Sequence, residues 1–451
     1  MTYISIIDLL LVPIYLTIIY YIAFIIRDKY YPKGNALRIY FMPGLTVKII
    51  GAILICLVYI FYFGYGDTLT YFNTSKIINS SWSDDAMTWL RLVTHTANYD
   101  NVKDGYYLSL MDDYNQIPNY IVSATGAFIG IVCFNRLLCI AIIIAAIAYS
   151  GLWALFRTFT KLYPQLIKES ALAALFVPSV AIWGSGLFKD TICMFALGWL
   201  IFYFFKLIKS AKFSLLPVIA ILISIVIIYS VKPYIIAIIL PVLFIRLIIG
   251  LFRSMRGAFK KLILSIVIFT LTIIGGKMLI SRFTENITEI LLQNLTETIT
   301  GFSNATQKIS EDENGSGYNL GELDGSVGDL VKKIPSAINV TFFRPYLWEA
   351  NKSMTLLAAL ESSALLLFSL YLIFKVNFKI FRYLWEDPNL LAFLLFSLIF
   401  AYLVGITTSN FGTLSRFKIP CIPFFVMTLF IINHYYVINK KKTEKMPNII
   451  H

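Results

Sequence analysis

The chain has 451 residues, of which 58% are hydrophobic and 14% charged, and it carries a net charge of +13. A soluble domain is nearer one quarter charged and just under half apolar, so this composition, with a mean hydropathy of +0.76, excludes an ordinary water-soluble fold and points to an integral membrane protein. The positive balance does not point to nucleic acid: the basic residues sit in short loops between apolar runs, where orientation in a bilayer accounts for them.

The first apolar run, about 4–26, has no positive charge before it and no small-residue cleavage site after it, so it reads as an uncleaved span rather than a signal peptide. Further runs follow at about 45–63, 137–156, 170–187, 191–207, 214–230, 234–251, 262–280, 353–374, 389–407 and 419–438. Each suits a hydrocarbon core of about 30 Å. The expected fold is an all-α polytopic membrane protein, a single integral domain over 1–451 with about 11 transmembrane helices and two long outer loops.

The loops at 27–38, 157–168, 206–212, 246–261, 375–382 and 440–445 collect Lys and Arg, and the acids in or beside them are Asp28, Glu169, Glu386, Asp387 and Glu444. The positive-inside rule puts this set in the cytoplasm. The N-terminus is then outside, and the basic tail 439–451 (KKKTEK and its flanks) inside. The first outer segment, 64–136, contains NYIVSATGAFIGIVC at 119–133, too short and too polar to span and expected to lie in the interface or to re-enter against protein. The second, 281–352, contains ENGSGYNLGELDGSVGD, a loop by composition. The sequons at Asn294 and Asn304 carry little weight in so Asn-rich a stretch. The five cysteines, Cys56, Cys133, Cys139, Cys193 and Cys421, lie in or beside apolar runs without zinc spacing and read as small buried hydrophobes. The three histidines, His95, His434 and His451, do not cluster, so no metal site is expected from them.

Five polar clusters fall on the outer side. GYGDTLTYFNTSKII (64–78) offers Asp67; WGSGLFKDTICMF (183–195) offers Lys189 and Asp190; YSVKPYI (229–235) offers Lys232. FFRPYLWEANKS (342–353) offers Arg344, Trp348 and Glu349, and TTSNFGTLSRFKIP (407–420) offers Asn410, Arg416 and Lys418. Each has a plain structural reading. Asp67 and Asp190 suit helix caps, the lysines suit headgroup anchors, and Tyr346 and Trp348 suit an aromatic belt. Taken together, Lys189, Lys232, Arg344 and Arg416 place cations at headgroup depth, where a phosphate or pyrophosphate would be gripped. Asp67, Asp190 and Glu349 supply carboxylates for proton abstraction or metal binding.

With these residues the chain resembles the bacterial polytopic enzymes of surface-polysaccharide assembly, the O-antigen-polymerase-like proteins and the GT-C glycosyltransferases. GDTLTYF is similar to the Asp-bearing first outer loop of GT-C enzymes. The late outer loop is similar to the substrate-enclosing loop of the polymerases, and NFGTLSRFKIPCIPF to the segment before their last span. The pattern departs from the family in having no DxD in the first outer loop, where Asp84-Asp85 and Asp112-Asp113 are adjacent pairs instead. The resemblance implies a helical bundle of the bacterial inner membrane that handles a polyprenyl-phosphate- or pyrophosphate-linked sugar at the outer leaflet. Asp67 would be the base, with Asp190 beside it as a second carboxylate. Lys189, Lys232, Arg344, Glu349, Asn410 and Arg416 would line the substrate. Implied partners are a polyprenyl-linked glycan donor, a glycan acceptor, membrane lipid and other polysaccharide-assembly proteins. No nucleotide cofactor is expected, and the need for a divalent metal stays open. The alternative is a lipid-linked oligosaccharide flippase or other secondary transporter, for which Glu361, inside LLAALESSALLL, is the pointer.

Overall fold

The computed structural model describes residues 3–209, 214–254, 317–321 and 327–444. The expected span at 262–280, the sequons at Asn294 and Asn304 and the end of the basic tail lie outside the described residues. The named elements are all helices. Among the described residues eight helices are long and apolar enough to cross a membrane: Ile6–Tyr30, Arg38–Phe63, Leu137–Leu162, Lys189–Lys209, Pro233–Ser254, Ser353–Val376, Pro388–Thr407 and Ile422–Lys441. The protein is a multi-pass, all-α membrane protein. It divides into two compact units, Met1–Ile236 and Ala237–His451.

In the first unit α1 (Ile6–Tyr30) and α2 (Arg38–Phe63) are followed by four shorter helices, α3 (Asp67–Asp84), α4 (Ala86–Val93), α5 (Val102–Ser109) and α6 (Ile117–Val132). Then come α7 (Leu137–Leu162), α8 (Ile167–Ala171), α9 (Lys189–Lys209) and α10 (Leu215–Val231). One face of α1 rests on α7, while Ile6, Leu9, Leu10 and Ile14 stand exposed, an arrangement that lipid tolerates and water does not. The core of this unit is α7. It meets α9 backbone to backbone: a Cβ added to Gly198 would lie 1.9 Å from the Gly151 carbonyl oxygen, and one added to Gly151 would lie 2.3 Å from that of Phe195. Lipid supplies little hydrophobic drive between helices, so such close approach of small residues is what holds them.

The apolar run 170–187 is not one helix. From α8 the chain continues in wider turns to Phe176, becomes extended at Val177, and resumes for one wide turn at Ser179–Trp183. Pro178 is the cause: it has no N–H for the ladder, and its ring pushes the preceding residue out of helical geometry. The stretch 119–133 forms α6, whose 16 residues reach about 24 Å and pack along α3. The helices α3 to α6 close on each other through polar contacts. Asn79 donates to the Ala127 carbonyl (2.8 Å) and accepts from the Trp89 indole (2.8 Å), and Asp113 accepts from Thr74 (2.9 Å) and Ser123 (2.7 Å).

The second unit contains most of α11 (Pro233–Ser254), then α12 (Val327–Lys332), α13 (Ile334–Phe343), a single tight turn at Leu347–Glu349, α14 (Ser353–Val376), α15 (Lys379–Glu386), α16 (Pro388–Thr407), α17 (Phe411–Phe417) and α18 (Ile422–Glu444). Asp387 caps α16 by accepting from Asn389 and Leu390 N–H, and its other carboxylate oxygen takes the Tyr435 hydroxyl at 2.7 Å. That bond ties the start of α16 to α18. α13 lies against α16 over Gly405, where a Cβ would meet the Ala337 carbonyl oxygen at 2.2 Å.

Candidate functional site

Each unit gathers its own part of the expected residues. In the first, Asp190 is the second residue of α9 and fully buried, and Lys232, the residue between α10 and α11, is buried with it. The Lys232 Nζ lies 2.5 Å from Asp190 Oδ1. Burial works against the ammonium. The Asp190 carboxylate more than restores it, so Lys232 is held above its ordinary value. Its charge is therefore directed at a carboxylate inside the protein. Lys189, next in sequence, is half-buried. Asp67 opens α3 and is exposed, behind Gly66 in a left-handed conformation (φ 117°). The neighbouring Thr68 hydroxyl donates to the Leu187 carbonyl at 3.4 Å. Thus the Asp67, Lys189–Asp190 and Lys232 segments, far apart in sequence, meet at one end of the first unit.

A residue that the sequence reading passed over stands behind them. Lys48, on α2, is buried, and its ammonium donates to the carbonyls of Val180 (3.2 Å) and Gly184. Both carbonyls belong to the short turn Ser179–Trp183 and its C-terminal end, where a helix that stops leaves its last carbonyls short of intrahelical donors, and a cation can serve them instead. Gly51, one turn further along α2, lets the two segments close; a Cβ there would sit 2.2 Å from the Ala181 carbonyl oxygen. The signal in the sequence was a lone lysine in an otherwise apolar helical run, followed three residues on by glycine.

In the second unit Arg344, at the end of α13, donates through Nε to Glu349 (3.0 Å) and through Nη2 to the other oxygen of the same carboxylate. Burial pushes the Glu349 carboxyl up. The Arg344 guanidinium and the Tyr346 N–H (2.8 Å) outweigh that and hold it below its ordinary value. Three rings surround the guanidinium, Phe411, Tyr318 and Tyr346, with centroids at 5.4, 5.6 and 5.8 Å. Trp348 stacks on Tyr346 (4.8 Å between centroids) yet remains 79% exposed. Asn410 caps α17 by accepting from Gly412 and Thr413 N–H, and Arg416 lies on that same short helix. Tyr318 binds into this corner through the Gly405 carbonyl and Thr408. Beneath it, Lys418 is buried, 3.2 Å from the Ser362 hydroxyl and 3.9 Å from Glu361. Burial lowers the Lys418 ammonium, with Glu361 pulling the other way. Ser362 in turn donates to the Arg344 carbonyl.

Among the expected residues, Asp190 joins Lys232 in one unit and Arg344 joins Glu349 in the other, with Asn410 and Arg416 on the helix that presents Phe411 to Arg344. Of the adjacent acid pairs of the first outer segment, Asp85 caps α4, Asp84 accepts from Tyr107, and Asp113 holds α3 to α6. Among the described residues no group of three or more His, Cys, Asp or Glu is placed to hold a metal ion. The arrangement offers an exposed carboxylate, buried cation–carboxylate pairs and an exposed aromatic platform beside an arginine. No family model, curated protein or solved structure matches this chain.

Proposed function

We propose that the protein is a membrane-embedded glycosyltransferase or polysaccharide polymerase of the bacterial inner membrane that works on polyprenyl-(pyro)phosphate-linked sugars at the outer face. The observation that carries this reading is the platform of the second unit, where exposed Trp348 lies on Tyr346 beside the Arg344–Glu349 pair. An aromatic face next to fixed polar groups suits a sugar ring, and the N–H groups of Arg344 not directed at Glu349 suit a phosphate oxygen. Asp67, an exposed carboxylate at the start of α3 in the first unit, supports it further as the kind of group that takes a proton from a hydroxyl. Lys232 then serves to fix Asp190 and the start of α9 rather than to grip the substrate. The glycan donor and acceptor are the partners on this reading, with the N-terminus outside and the basic tail inside.

The test is polymer length and lipid-linked precursor in cells carrying Asp67→Asn or Trp348→Ala, each at normal expression. A transferase variant yields short or absent polymer with precursor accumulating at the outer leaflet. Full-length polymer in both variants would sink the assignment. A second reading, a lipid-linked oligosaccharide carrier, is favoured by the helix broken at Pro178 with Lys48 on its carbonyls and by the buried Glu361–Lys418 pair, features that carriers place along a translocation path. Precursor trapped at the inner leaflet in a Lys48→Met or Glu361→Gln variant would decide for it.

A further inference from the structure

The second candidate site lies at the opposite end of the first unit, where α1 ends, α2 begins, and α7 and α9 end. A cavity of about 580 Å³ opens there between α1, α2 and α7, lined by Ile19, Ile26, Phe41, Ile147 and Trp153, with Arg157 at one end. Its volume is that of a ligand pocket. On α7 its lining runs from Ile143 to Arg157, about 21 Å along the helix axis, enough to take a chain reaching down from one surface to beyond the bilayer midplane. The polar atoms of its walls are turned onto each other: the Tyr149 hydroxyl onto the Phe41 carbonyl (2.6 Å), the Trp153 indole onto Tyr31 (2.6 Å) and the Trp199 indole onto Ser150 (3.2 Å). Most of what remains facing the space is hydrocarbon.

At the mouth four cations gather. Arg157 and Lys161 lie over the Phe202 ring at 4.7 and 5.2 Å, Lys206 lies over Tyr203 at 5.6 Å, and the Lys209 ammonium donates to the Lys161 carbonyl at 3.3 Å. Among the described residues none of the four forms a salt bridge, whereas Arg38 at the same end is paired with Asp28. An alkyl-lined groove ending in unneutralised positive charge is complementary to a molecule with an apolar chain and an anionic head.

We propose that this groove binds one acyl chain of an anionic phospholipid in the leaflet at the basic end, with the lipid phosphate on Arg157 and Lys161 and with Lys206 and Lys209 behind. The inference is independent of the reading given above for the sugar-handling residues, which lie elsewhere in the fold. By the positive-inside rule the leaflet is the cytoplasmic one, whose surface is also the anionic one.

The experiment is native mass spectrometry of the full chain in detergent, titrated with phosphatidylglycerol, with phosphatidylcholine of the same chains, and with a polyprenyl phosphate. The expected result is one phosphatidylglycerol retained in preference to phosphatidylcholine. In Arg157→Gln/Lys161→Gln that preference falls roughly thirtyfold, from two lost cation contacts at a membrane surface. Ala146→Phe, which fills the groove, lowers retention of both phospholipids, and Lys76→Gln, at the other end of the unit, leaves the preference intact. Equal retention of the two phospholipids by the unsubstituted protein, or an unchanged preference in the double variant, overturns the proposal. Stronger retention of polyprenyl phosphate than of phosphatidylglycerol overturns it in favour of that occupant.

Discussion

The Asp190–Lys232 pair shows what a single residue can decide in this molecule. Both side chains are buried, and each charge offsets the desolvation of the other. Replacing Asp190 with Asn leaves the ammonium without its counter-charge and is expected to destabilise the first unit by about 3–5 kcal/mol. Asp190→Leu together with Lys232→Met removes both charges and recovers most of that loss. Chemical unfolding in detergent micelles measures both, and a double variant as weak as the single one would show that the pair does more than neutralise itself. Glu349 makes a prediction in pH. Its carboxyl is held below the ordinary 4.5 by Arg344 and the Tyr346 N–H, so the pair contributes fully above about pH 4.5 and its contribution is lost as pH falls through the lower, folded value. The stability gap between the native chain and Glu349→Gln should stay constant from neutral pH to about 5 and close below 4.5. Site residues at this scale were legible only as charge beside turn-formers. Lys418 and Lys232 resemble headgroup anchors because a linear pattern shows a lysine at a span end and not the carboxylate it meets. Lys48 was hidden because one lysine barely moves the hydropathy of a long apolar window.

At the scale of the element, the spans were legible because bilayer thickness fixes their length and composition. Expected boundaries such as 137–156, 191–207, 353–374 and 389–407 correspond to α7, α9, α14 and α16. The exception is instructive. The run 170–187 has the hydropathy of a span, but hydropathy is blind to backbone, and Pro178 divides it. The proline was visible; what braces the interrupted stretch was not, because Lys48, which donates to the Val180 carbonyl in it, comes from 132 residues earlier. Helix-to-helix distance was equally hidden. Gly151→Leu places a branched side chain where α7 and α9 share backbone contact, so a large loss of thermal stability is expected, with little folded protein recovered by size-exclusion in detergent. A Gly151→Leu protein with native stability would mean that the two helices do not approach this closely.

For the whole molecule the strongest expectation is orientation. All five native cysteines are buried, so a single introduced cysteine reports its own side without background from the rest. A cysteine in place of Lys76 should react with an impermeant maleimide added outside intact cells, and one in place of Lys168 should react only after the membrane is opened. The reverse pattern would invert the molecule and move the proposed sugar-handling residues to the cytoplasm. The class of the protein was fully legible from composition. Which residues form a site was not, because a site is made by segments such as 66–68, 187–190 and 232 meeting in space, and no periodicity encodes that meeting.

The contact between Gly151 and Gly198 also restricts how the first unit can work. Two rods touching through their main chains have no side-chain cushion between them, so neither can roll or slide without collision. Any cycle of opening and closing in this half would carry α7 and α9 as one stiff beam and find its pivot elsewhere, with the interrupted stretch after Phe176 as the nearest joint.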